Sequence, residues 1–441
     1  GYLDRGLRAN ERNIALQLIK VQALESLAQS DSAEAVLRRL IALYPQTRQL
    51  RHALAQFYLD HQRVDAAEAE YRAIAAEHPD ELQAQLDLVR FIANARGPQA
   101  AQRHLQQLIA GNPPHQRFRF ELAELLQSQG DHSGAGAVLR EIIAADPNGD
   151  ALKAKGLLAG LLLDEGQRDE AQQLIGQVLA GDHRNEQGLL LKAGLAIEAG
   201  QLDQAIADLR TILRDSPESA RALLLLARAH QQTGAVELAQ ENYLKAYQVG
   251  RGDPQFAMAY AEFLLRRGQA ARAEMVADAL LQQAPGHVDA LKLLAQARID
   301  QGNWNGAQAV AEQLQQQAGQ RHSAEQIRGA VFAARKDYSA SIAAFRRAHD
   351  SAPSAVQPMV ALVRSYLLAG KPEEASAFLD SVLKASPANA TALLLQGELH
   401  ALRGEQAQAA ERFRQLIAVQ PKQATGYVNL ASLHLRANEQ A

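Results

Sequence analysis

Apolar and polar positions along this chain keep a helical period, and the stretches that do so are themselves repeated. Over residues 390–403, Leu393, Leu394, Leu395 and Leu399 form one apolar stripe, and Gly404 then breaks it. That spacing predicts an amphipathic helix, and a glycine just past its end accepts the left-handed conformation that closes the last carbonyls. From about Gln406 a second stripe runs through Ala409, Ala410, Phe413, Leu416 and Ile417 and stops at Pro421. Proline disfavours the α conformation in the residue before it, so the second helix ends there. The prediction is a pair of short helices, each with one face to bury.

The same pair recurs on a fixed grid. Pro45, Pro79, Pro113 and Pro147, then Pro217, Pro285, Pro353, Pro387 and Pro421, fall on a 34-residue spacing broken once by two extra residues. Gly130, Gly166, Gly200, Gly234, Gly268, Gly302, Gly370 and Gly404 fall on a second grid. A third holds Ala67, Ala101, Ala135, Ala171, Ala205, Ala239, Ala273, Ala307, Ala375 and Ala409. A period of 20–50 residues marks a repeat architecture, in which each unit buries its face against its neighbours.

Helix–turn–helix units of 34 residues, with small residues at positions 8 and 20, a bulky residue at 24 and proline at 32, resemble tetratricopeptide repeats. Tyr58 and Tyr366 match that family's tyrosine at position 11, and Tyr71, Tyr243, Phe345 and Phe413 match its aromatic at 24. The tryptophan often found at position 4 is missing: Leu223, Leu291, Met359 and Leu393 fill that site, and the one tryptophan, Trp304, lies elsewhere. The resemblance implies an all-α, right-handed α-solenoid. Counting by proline phase gives twelve units over residues 14–423, starting at Ile14, Arg48, Leu82, Gln116, Leu152, Glu186, Ala220, Pro254, Val288, His322, Val356 and Ala390. Residues 1–13 read as the tail of a preceding repeat and 424–441 as the first helix of a further repeat or cap. Both ends therefore look cut from a longer protein, with room for a lipid anchor upstream.

Composition narrows the function classes. At 441 residues a single globular core would be strained, whereas a stack has no such limit. A net charge of −3 with both signs interspersed argues against a nucleic-acid surface. No apolar run is long enough to span a bilayer, residues 156–163 being the nearest. Without cysteine there is neither a disulfide nor a thiolate metal site. The thirteen histidines show no metal-ligand spacing, and no phosphate loop or nucleophile elbow is present. Neither a catalytic constellation nor a metal or cofactor site is expected.

Two places break the rhythm. Residues 146–150, of sequence Asp-Pro-Asn-Gly-Asp, carry the insertion and read as a longer surface turn or a hinge. Farther on, Gly319 stands where the proline should be and Lys336 where the inter-helix glycine should be. The unit around them reads as a repeat with softer junctions.

The resemblance also places positions 2, 5, 9 and 12 of each first helix in a groove that holds partner proteins or peptides. Carried onto this chain, position 5 gives Phe120, Leu190, Leu224 and Met258, position 9 gives Arg90, Arg228, Glu262 and Arg364, and position 2 gives Arg221. Arg221 and Arg228 lie about 10.5 Å apart along one face by helix rise. They frame Leu224 as a grip for an acidic residue beside an apolar one. The implied function is a non-catalytic scaffold or adaptor. The alanine-, leucine- and glutamine-rich, cysteine-free array is similar to envelope proteins of Gram-negative bacteria, including lipoproteins of exopolysaccharide export, surface-protein systems and protease adaptors. A periplasmic or outer-membrane-associated location follows from that likeness, with the cytoplasm as the alternative. The competing reading is the recognition arm of an enzyme whose catalytic domain lies outside these residues.

Overall fold

In the computed structural model the described residues are 6, 10, 12–112, 115–145 and 151–439, with side chains described as far as 436. Among them the structure is helical throughout, with twenty-five helices and no strand. The insertion at 146–150 and most of the expected leading tail lie outside the described residues. The chain divides into two compact units, residues 1–192 and 193–441.

In the first unit the helices are α1 (Ile14–Ser26), α2 (Ser30–Leu43), α3 (Arg48–Asp60), α4 (Val64–Glu77), α5 (Leu82–Arg96), α6 (Pro98–Gly111), α7 (Gln116–Ser128), α8 (His132–Ala145), α9 (Ala151–Asp164) and α10 (Arg168–Gly181). Helix α11 (Glu186–Glu198) carries the boundary. The second unit continues with α12 (Leu202–Asp215), α13 (Ala220–Gln232), α14 (Val236–Val249), α15 (Pro254–Arg266), α16 (Ala270–Gln283), α17 (Val288–Asp300) and α18 (Trp304–Gln315). It ends with α19 (Arg321–Ala334), α20 (Tyr338–Ser351), α21 (Val356–Leu368), α22 (Pro372–Ala385), α23 (Ala390–Leu402), α24 (Gln406–Val419) and α25 (Ala424–Glu439). Within each unit a helix packs on its sequence neighbours, as a helical solenoid requires.

Local chemistry explains the boundaries. The residue before several of the grid prolines leaves the α region: Tyr44 sits at φ −133° and ψ 63°, and Ser216, Ala284, Ser386 and Gln420 do the same. The next helix is then often capped by a side chain. Ser219, Asn389 and His287 each accept the backbone N–H three residues on. Between paired helices the turn takes the left-handed conformation at repeat position 15. Gly234 has φ 77° there, and where glycine is absent Ala28, Gln62 and Lys336 still adopt φ 55°, 59° and 62°. The tertiary stack therefore imposes this turn on residues that disfavour it, at a cost on the order of 1 kcal/mol each. The third repeat is different: α5 runs on to Arg96, and Gly97 (φ 90°) makes the turn just before Pro98 opens α6.

Close approach within a pair rests on the small residues. The position-20 alanines, such as Ala67, Ala101, Ala239 and Ala307, are fully buried. A Cβ on Gly397 would lie 2.5 Å from Phe413 Cε1, and one on Gly329 2.7 Å from Phe345 Cδ1. Position 8 is glycine in these two repeats because a phenylalanine ring at position 24 fills that space.

Polar ties join repeats as well. The position-11 tyrosine accepts hydrogen bonds from the preceding repeat: Arg38 donates to the Tyr58 hydroxyl at 3.0 Å and Arg346 to that of Tyr366 at 2.5 Å. Tyr58 in turn donates to Glu34 at 2.9 Å.

Candidate interaction surface

In several repeats the first helix carries apolar residues on the side that meets its neighbours and charge on the opposite side. Repeat position 9 falls on the charged side, and Arg90 on α5, Arg228 on α13, Glu262 on α15 and Arg364 on α21 are all exposed, as is Arg221 at position 2 of α13.

Position 5 differs from expectation. Phe120, Leu190 and Leu224 are only 7%, 8% and 3% exposed, and Met258 is partly buried against the same core as Leu224. These four side chains pack between helices, and Lys153 Nζ covers the Phe120 ring at 4.5 Å from its centroid. The expected apolar step between Arg221 and Arg228 is thus part of the core and not a surface a partner could touch. The signal was present in the sequence: Leu223 and Leu224, like Leu189 and Leu190, make the apolar stripe too wide for one interface, so position 5 is consumed by the next repeat.

Of the charged residues, Arg228 and Glu262 both act on the Tyr243 phenol, as does Arg266, which lies 3.8 Å from Glu262. Tyr243 donates to Gln231 at 3.0 Å, and burial pushes its phenol above the ordinary range despite the pull of Arg228 and Arg266. Arg221 and Arg364 stand on other helix turns outside this group, and Arg90 belongs to the first unit.

Around Arg90 the sequence reading missed a cleft. A cavity of about 490 Å³ opens between α3, α4 and α5, lined by His52, Leu59, Val64, Tyr71, Asp87, Arg90, Phe91, Asn94 and Ala95. Tyr71 stacks on Phe91 with centroids 4.7 Å apart and meets the His52 edge at 5.5 Å. Burial pushes the Tyr71 phenol up, with the Asp87 charge adding to it, and burial pushes the His52 imidazole down. The available signal was the pairing of an aromatic at position 24, Tyr71, with an aromatic at position 10 of the next repeat, Phe91.

No group of three or more histidine or acidic side chains able to hold a metal occurs among the described residues, nor a helix long and apolar enough to cross a membrane.

Comparison with known proteins bears on the family. Tetratricopeptide-repeat models match residues 14–57, 95–156, 128–195, 332–399 and 391–422. Residues 206–325 match the TPR domain of cytochrome c-type biogenesis protein H. No curated protein sequence matches. Among solved structures, a tetratricopeptide repeat protein from Parabacteroides merdae ATCC 43184 is 19% identical with a TM-score of 0.40, over 56% of this chain and 97% of that one. Yeast Tom70 is 9% identical with a TM-score of 0.46, over 90% of this chain and 97% of that one. The matched models together with the helix pairs on the 34-residue grid make this chain a member of the tetratricopeptide-repeat family.

Proposed function

We propose that this chain is a non-catalytic scaffold or adaptor that holds partner proteins or peptides on the exposed faces of its first helices. The observation that carries the reading is the division of labour within each repeat. Small and apolar residues fill the space between helices, while Arg90, Arg228, Glu262 and Arg364 occupy one repeat position and stand exposed. Charge so placed stays in contact with solvent and supports recognition, where a guanidinium grips a carboxylate with paired hydrogen bonds. Its setting in this reading is a bacterial envelope complex, with a periplasmic or membrane-associated location. The match of residues 206–325 favours c-type cytochrome biogenesis as the process served, whereas exopolysaccharide export, surface-protein systems and protease adaptors have only composition behind them.

The test is affinity capture with mass spectrometry, run on the wild-type chain and on a variant carrying Arg90→Glu, Arg228→Glu, Glu262→Arg and Arg364→Glu. The expected result is a set of partners lost from the variant while its helical circular dichroism is unchanged. An identical captured set on both would overturn the reading of these positions as the binding face.

A further inference from the structure

We propose that the cleft between α3, α4 and α5 is an anchor for a tyrosine or tryptophan side chain of a partner segment, with a carboxylate next to that ring held by Arg90. This rests on the scaffold reading and gives one site its chemistry. A volume of about 490 Å³ is in the range of small-ligand pockets. Its rim residues Arg90 and Asn94 are exposed, so an extended segment can enter from the side.

The lining selects a ring. Tyr71, stacked on Phe91 at 4.7 Å and edge-on to His52 at 5.5 Å, lines the cavity with both of them, and aromatic pairs prefer offset or edge-to-face contact. Leu59, Val64 and Ala95 complete an apolar wall. A phenol O–H or indole N–H also needs an acceptor when buried. Asp87 supplies one, because a carboxylate has room for several donors beyond the Gln83 amide it already accepts at 2.7 Å.

The rim selects a negative charge beside that ring. Arg48, Arg51, Arg63, Arg72 and Arg96 each grip a carboxylate of this chain. Arg90 does not: it is 61% exposed and reaches Asp87 only at 3.6 Å, longer than a hydrogen bond. A guanidinium held loosely at the mouth of an apolar cleft is placed for a bidentate contact with an incoming Glu or Asp. A cationic side chain in the cleft is disfavoured, since it would face Arg90 and compete for Asp87.

The experiment is fluorescence anisotropy with the full chain and a fluorescein-labelled Gly/Ser peptide bearing a central Glu-Trp-Glu. Binding should weaken roughly tenfold or more when Arg90→Glu is introduced, and equally when the probe's tryptophan becomes serine or its glutamates become lysines. Asn94→Trp, a change at an exposed rim position that fills the cleft from outside, should block the probe without loss of helical content. Arg414→Glu, at an exposed position of a second helix in the other unit, should leave the affinity unchanged. Equal binding by wild type and Arg90→Glu, indifference to the probe's tryptophan, preference for the lysine probe, or no binding at millimolar probe would each overturn the anchor. Affinity capture separates this from the broader reading. Partners that survive both Arg90→Glu and Asn94→Trp leave the scaffold standing without this anchor, whereas a wild-type chain with no specific partner removes both.

Discussion

Residues 220–315 and residues 321–366 follow the same helical template but are held by different forces. In the first stretch one buried apolar cluster runs from Leu223 through Phe263, Leu291 and Leu314, reaching Val331 in α19, and the position-20 alanines Ala239, Ala273 and Ala307 lie inside it. In the second, polar groups enter the interior. Ser341 replaces the alanine, is fully buried, and shares a hydrogen bond with Ser365 at 3.0 Å. The buried Glu325 carboxylate is held by Arg328 at 2.7 Å and Arg347 at 2.8 Å. His349 sits edge-on to Phe378 at 5.1 Å with its Nδ1 unpaired. A separate apolar cluster begins at Phe345, and Ala330 packs against both. An apolar stack tolerates many shapes, but a buried ion pair and a buried hydroxyl pair are satisfied in only one register. The polar seam therefore makes this junction specific, and makes its failure abrupt.

The largest effect should come from removing the seam's cations. Arg328→Ala with Arg347→Ala leaves a buried carboxylate without partners, which costs about 3 kcal/mol when burial is nearly complete. Hydrogen exchange should show faster opening across α19 and α20 while α14 and α16 keep their protection. Loss spread evenly over the second unit would mean that the two regions are not separate in stability.

Next in size is the hydroxyl pair. Ser341→Ala alone strands Ser365 and should cost about 1–2 kcal/mol of local stability, whereas Ser341→Ala with Ser365→Ala should be nearly neutral. A double variant as damaged as the single would show that the serines matter for shape and not for their hydrogen bond.

Acid should loosen the seam through His349, whose imidazole is pushed down by burial, with Asp350 opposing and Arg346 reinforcing. The folded state then binds fewer protons than the unfolded chain just below the ordinary histidine range of about 6.5, so stability falls as pH drops through that window. His230 in the apolar stretch is pushed down in the same direction by burial and by Arg210. With His349→Gln, exchange in α20 between pH 7.5 and pH 5 should lose its excess pH dependence while α13 keeps its own. A slope in α20 that survives the substitution would assign the effect to another group.

The smallest effect is a gain. Lys336 holds φ 62° with a side chain that disfavours it, so Lys336→Gly should stabilise the turn by about 0.5–1 kcal/mol in thermal melts. Gly234→Ala, the mirror change in the apolar stretch, should lose a similar amount. No gain at Lys336 would mean that its conformation is not strained.

The grid made most of this fold legible. Proline, glycine and alanine at fixed spacing report backbone conformation and close approach directly, and first helices begin at Arg48, Pro254 and Ala390 where the period puts them. Where Gly319 replaces the proline, α18 ends early at Gln315 and α19 starts at Arg321, one residue ahead of the period. The seam was only half visible. Gly319 and Lys336 marked softer junctions, but burial of Glu325 depends on two arginines from different helices, which no local pattern reveals. The candidate surface was less legible still. Charge at position 9 is a matter of helix face and could be read, as Arg90 and Arg228 show. At position 5 the family's position rule and the stripe's width disagree, and the width is the better guide: Leu190 and Leu224 are buried.

The central claim is that the exposed position-9 face of the first helices is where partners bind. Arginine-selective dicarbonyl labelling, read by mass spectrometry on the chain alone and with its captured partner, tests it most directly. The account predicts that Arg90 or Arg228 is protected by the partner, while Arg140 and Arg414, exposed on the second helices α8 and α24, label as before. Protection confined to those second-helix arginines, with Arg90, Arg228 and Arg364 still fully reactive, would contradict it.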